Sequence, residues 1–211
     1  MNSEVENDMN DTCAGKPIQS AMHMFSPEFL AGCKKFAELA SSSDCEQDVR
    51  LFNTSCIINA ACYLEAKVNE EISIGVICYD ETEAEGRSWR TIQNLQKKLT
   101  VQEKWDLVAN KQNSTSWNKG SEPFQSFETI SSLRNELVHY KGAFLSKDEA
   151  PNKKISGLMV SLNVSSKAAW IEDDCSSWVT DLLGLKELSN WVFSRINEFN
   201  KSYHDLRSSK I

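Results

Sequence analysis

Apolar residues recur at three- and four-residue intervals along most of the chain, the period of an amphipathic helix. The first stripe, Phe29, Leu30, Cys33, Phe36, Ala37 and Ala40, follows Ser26-Pro27-Glu28. There Ser26 is placed to cap a helix, Pro27 matches its first turn, and Glu28 faces the positive end of its dipole. The serine run 41–43 ends this stripe, and Asp44 is the expected cap of the next helix. Val49, Phe52, Cys56, Ala60, Tyr63, Leu64, Val68 and Ile72 then trace a stripe wide enough to face several neighbours, predicting a long central helix.

Beyond a charged loop over 80–86, Trp89, Ile92, Leu95 and Leu99 continue the helical spacing. Thr100 followed three residues later by Glu103 is a capping box, opening a helix through Trp105 and Val108. Residues 111–123 are rich in Asn, Ser, Lys and Gly and read as a loop, and a helix is predicted over 124–144. Leu158, Val160, Leu162 and Val164 alternate with period two, predicting a short strand or hairpin around 153–166. Trp178, Leu182, Leu183, Leu188, Trp191, Val192, Ile196 and Phe199 pattern a C-terminal helical region with a break near Gly184. Short connections between amphipathic helices predict an all-α antiparallel helical bundle with a small β insertion. Residues 1–22 read as a mobile acidic tail and 23–211 as a single domain.

Charge and cysteine content narrow the function classes. The net charge is −7, which argues against a protein that coats nucleic acid through a broad basic surface, since that affinity comes from neutralising phosphates. Glu4, Glu6, Asp8 and Asp11 carry four of the negative charges within the tail, so a local phosphate-binding cleft stays open. The apolar runs 56–64 and 72–79 fall short of the ~20 residues of a bilayer span. No basic residue precedes Lys16, the reverse of a signal peptide's charge pattern. Seven cysteines, an odd number with Cys56 and Cys62 on apolar helical positions, read as reduced thiols in a cytoplasmic protein rather than a disulfide framework. There is no CxxC pair, and His23, His139 and His204 are far apart, so neither a metal site nor a cofactor is expected.

The chemistry is concentrated in RNELVH, residues 134–139. On a helix, Phe127, Ile130, Leu133, Leu137 and Val138 gather on one face, and Arg134 falls on that face too. Asn135 and His139, four apart, are neighbours on another side. An arginine among leucines must find an anion or reach solvent, because a desolvated unpaired charge is expensive. One solution is an internal salt bridge, with Glu65 on the central helix as a candidate partner. The other is a phosphate, which guanidinium grips through two hydrogen bonds. Histidine is the side chain suited to proton exchange near neutrality, though a lone histidine such as His139 is more often a surface or packing residue than a catalyst. Asn135 stands where it would orient the imidazole, and Tyr140 lies on the Leu133 side, where packing is its default.

This segment resembles the active-site motif of the HEPN superfamily of small helical ribonucleases, in which an arginine and a polar neighbour are followed, after four to six residues, by a histidine. Arg134, Asn135 and His139 match those three positions with four residues between first and last. The phrase SLRNELVHYK resembles that of helical HEPN-type proteins, and CYLEAKVNE over 62–70 resembles the long helix packing against the motif helix. The resemblance covers about residues 45–145. It implies metal-independent cleavage of RNA in which the ribose 2′-hydroxyl attacks the adjacent phosphorus. His139 would move protons, Arg134 would bind substrate and stabilise phosphoryl charge, Asn135 would orient the site, and Glu65 and Tyr140 would support it.

A two-fold homodimer, an RNA substrate and an antitoxin protein are the partners so implied, with a role in defence or a toxin–antitoxin system. Superfamily toxins paired with a nucleotidyltransferase often carry a tyrosine two positions after the histidine, whereas Tyr140 here follows it directly. Two alternatives stand beside this expectation. One is a non-catalytic HEPN-like module for dimerisation or for binding a partner or nucleotide. The other is a structural bundle with Arg134 salt-bridged and His139 merely packed.

Overall fold

The computed structural model describes residues 22–114, 116–139, 151–164 and 177–208. The expected tail before residue 22 lies outside them. The described residues form eight helices and no strand: α1 Ser26–Ser42, α2 Glu46–Cys78, α3 Ala84–Leu95, α4 Val101–Asn113, α5 Phe124–Val138, α6 Lys153–Ser161, α7 Trp178–Leu183 and α8 Glu187–Ser208. The 33-residue α2 is the axis of the bundle, touching α1, α3, α4, α5, α7 and α8. Its buried positions run from Val49 through Cys56, Ala60, Leu64 and Val68 to Ile72, as the central stripe predicts. No helix among the described residues is long and apolar enough to cross a membrane.

Two polar devices set the packing of α2. Near its start the buried Asn53 amide donates to the carbonyls of Leu183 and Leu185 at 2.6 and 2.8 Å, and its oxygen accepts from the Ser189 backbone and hydroxyl. One side chain thus satisfies the carbonyls that end α7 and a donor that begins α8, and this anchors the break at Gly184. Near the other end, buried Glu70 accepts from the backbone N–H groups of Phe25 and Ser26 at 2.7 and 2.9 Å and from the Ser26 hydroxyl. A carboxylate from a distant helix therefore caps α1. Ser26 is the first helical residue rather than the cap. Asp44, the other expected cap, pairs instead with Lys186 at 3.1 Å, and α2 starts without a side-chain cap. The capping box of Thr100 and Glu103 forms as expected and fixes where α4 begins.

An aromatic cluster joins α4, α5 and α8. Trp105 meets Phe199 and Tyr203 edge-on with ring centres 5.0 Å apart, and Phe199 stacks on Trp117 and Phe127. The Trp105 indole N–H donates to the Leu64 carbonyl at 3.1 Å, tying this cluster to α2. Phe127, on the motif helix, is thereby held from behind by α8.

The strand expected around 153–166 is a helix over its first part. Ile155, Leu158 and Met159 are buried at helical spacing, whereas Val160 is 77% exposed. Asn152 caps the helix by accepting from Lys154 and Ile155 N–H. Of the alternating residues, Leu158 and Val160 lie within the helix, while Leu162 is its C-cap and Asn163, before Val164, adopts a positive φ of 55°.

Candidate active site

Helix α5 exists because Phe124, Phe127, Ile130 and Leu133 bury one side against α2 and α8. The adjoining side carries Glu128, Ser131, Ser132 and Asn135 at three- and four-residue spacing. This polar row is one wall of an open cleft of about 310 Å³. Ala61, Leu64 and Glu65 of α2 line another wall, the first residues of α4 close one side, and Lys154 enters from α6.

Arg134, on the same face as Phe127 and Ile130, lines this cleft and is partly exposed rather than sunk among the leucines. Its Nη1 donates to the Asn135 side-chain oxygen at 3.1 Å. Among the described residues no carboxylate lies within 4.0 Å of it. Glu65, the candidate salt-bridge partner, also lines the cleft but has Lys104 at 3.9 Å instead. Glu128 is taken by Lys154 at 2.7 Å. Glu65 and Glu128 therefore each have a lysine, and among the described residues the guanidinium has no carboxylate partner. Cys62 feels the same surroundings: burial first, and the Glu65 charge second, push its thiol pKa up, while the Arg134 charge pulls it down. It remains a neutral thiol near neutrality.

Asn135 joins Arg134 in the cleft wall, whereas His139 does not line the cleft. His139 is the C-cap of α5, exposed, with its backbone N–H donating to the Asn135 carbonyl at 3.0 Å. At 100° per residue it falls on the same side of the helix as Glu128 and Ser132, one turn beyond Asn135. It therefore stands past the end of the cleft's polar row. Helix α5 runs to Val138 with His139 as its C-cap, and the rest of the predicted span to 144, Tyr140 included, lies outside the described residues.

Ser131, Ser132, Gln102 and Lys154 were not singled out by the sequence. The serines and Glu128 were legible as a polar stripe beside the apolar one. Lys154 had no such signal, because only the docking of α6 on α5 brings it to the cleft. Compared with protein-family models, curated proteins and solved structures, the chain has no match.

Proposed function

We propose that this chain is an endoribonuclease of HEPN type, cleaving RNA without a metal by attack of the 2′-hydroxyl on the neighbouring phosphorus. The observation that carries the reading is the unpaired Arg134 guanidinium lining an open cleft beside Asn135. A cation kept free of carboxylates, yet held in place by a neighbouring amide, is prepared for a phosphate. In the reaction the 2′-oxygen bonds to phosphorus and loses its proton, and the bond to the 5′-oxygen breaks as that oxygen gains one. The products are a 2′,3′-cyclic phosphate and a 5′-hydroxyl. Arg134 balances charge growing on the non-bridging oxygens, and His139 exchanges protons from one turn along the helix.

One histidine cannot take and give a proton at once, so the reading includes a two-fold homodimer in which His139 of each chain serves a shared groove. The exposed Val138 beside it, 50% accessible, would be covered in such a dimer. A partner protein closing the same groove would silence the activity, which is how an antitoxin would act, and reduced thiols suit a cytoplasmic setting.

A second reading, a non-catalytic nucleotide- or RNA-binding module, is favoured by the position of His139 outside the cleft lining. The two separate when purified protein is incubated with mixed RNA in chelator and the product ends are analysed. Cyclic phosphate ends that vanish in both Arg134→Ala and His139→Ala support the nuclease. RNA bound but left intact supports the module, and cleavage unaffected by either substitution overturns both roles.

A further inference from the structure

Lys154 reaches the cleft from α6, and its ammonium donates to Glu128 Oε2 at 2.7 Å. The other oxygen of Glu128 accepts from the Gln102 amide at 3.2 Å. The carboxylate is thus held between α4 and α6, and it holds the lysine head in turn. An ammonium has three donors. Glu128 takes one, and among the described residues no other partner takes the remaining two, while the side chain stays 47% exposed.

The placement of the two cations is set by α5. Glu128 and Arg134 are six residues apart, which is about 9 Å along the helix axis. Lys154, held by Glu128, therefore enters the cleft more than one helical turn away from Arg134, and both line it together with Ser131 and Ser132. The rise is that of the backbone, and the long stems of lysine and arginine let the two cations reach neighbouring phosphates of one strand. The walls facing α5 offer the partly exposed Ala61 and Val101 beside Glu65, Thr100 and Gln102. A groove that tracks the backbone with cations is the electrostatic part of the usual arrangement for single-stranded nucleic acid.

We infer that Lys154 is a second phosphate-binding residue, gripping the backbone one nucleotide along from the phosphate held by Arg134. The inference rests on the proposed RNA-binding role of the cleft and not on catalysis by His139. Glu128 and Gln102 are positioning residues for the lysine.

The test uses the full chain and a fluorescein-labelled, single-stranded 2′-O-methyl RNA of mixed sequence, which 2′-hydroxyl attack cannot cleave. Binding is followed by anisotropy over a series of salt concentrations. Lys154→Met is expected to weaken binding about tenfold, the worth of one charge-assisted contact. It should also flatten the slope of log affinity against log salt by about 0.7, the value for one lost phosphate contact in a single strand. Lys154→Arg should keep most of the affinity, and Lys153→Met, on the same turn but outside the cleft, should keep all of it. Unchanged affinity and slope in Lys154→Met, with wild-type melting, would overturn the inference even if the protein cleaves RNA through Arg134 and His139. Loss of affinity in Lys154→Met with no RNA cleavage by the wild type would leave the subsite standing and remove the nuclease. A wild type that does not bind the strand overturns the subsite.

Discussion

Arg134 and Leu133 are adjacent in sequence and differ in what they do for the fold. Leu133 is 2% exposed and packed in the core, whereas Arg134 faces the cleft with an amide as its partner. Replacing Arg134 with Ala removes no buried ion pair, so melting should stay within the range of ordinary surface changes, about 0.5 kcal/mol. Leu133→Ala should cost about 2–5 kcal/mol through the lost burial and the cavity left behind. Thermal melts of the two variants check this. Equal destabilisation would mean that Arg134 is a packing residue. The apolar stripe read from sequence placed Leu137 with Leu133, but Leu137 is only half-buried. Leu137→Asp should therefore be milder than Leu133→Asp, where the new carboxylate has no route to water. The motif itself was legible, because arginine, asparagine and histidine at that spacing stand out within an apolar helix. The emptiness around the guanidinium was not, since it depends on which lysine takes Glu65 and Glu128.

At the scale of elements, helices with a strong three-four period appeared where expected, and the errors have local causes. Leu158, Val160, Leu162 and Val164 recur with period two, although the apolar Met159 stands between the first two. Yet Ile155, Leu158 and Met159 also satisfy the helical period, and the Asn152 cap decides between the two. Lys154 was lost from the site with that misreading. The start of α1 shows the complementary case, because Ser-Pro-Glu marks a helix start correctly while the capping group comes from Glu70, 44 residues away from Ser26. That contact predicts a specific weakness. Glu70→Ala strips three hydrogen bonds, two of them from backbone groups of the first turn, and should cost about 1–3 kcal/mol, the range for lost caps and charge-assisted bonds. Hydrogen exchange should rise first in the opening turns of α1 and only later in α2. Uniform acceleration across both helices would show that Glu70 supports the whole bundle rather than one end.

Across the molecule, the titratable groups most perturbed by folding lie around α2, and they give stability a dependence on pH at both extremes. Burial pushes the Tyr203 phenol up, and the Glu71 charge adds to it, against smaller opposing effects from the Gln112 hydrogen bond and the Arg207 charge. Tyr63 is pushed up by burial and by Glu70 and Glu71. A phenol whose pKa is raised in the folded state lends stability that is complete below its unfolded value, near 10, and is lost as pH rises toward the folded one. Glu71 has the opposite sign. Burial alone would raise its carboxyl, but hydrogen bonds from Lys67 and Tyr203 and the charges of Lys67 and Arg207 outweigh burial and hold it low. Its contribution is therefore complete above the unfolded value, near 4.3, and falls away as pH drops through the folded one. Melting temperature should be flat through neutrality, fall below about pH 4 and fall again above about pH 10. Tyr203→Phe separates the alkaline arm. At pH 7 it should cost about 1 kcal/mol, because the Gln112 amide loses the phenol oxygen it donates to at 2.7 Å. Above pH 10 the variant has one fewer buried phenol to ionise on unfolding, so the gap to wild type should shrink and then reverse. A gap that stays constant from pH 7 to 11 would show that Tyr203 ionises as easily folded as unfolded, and that its burial does not govern alkaline stability.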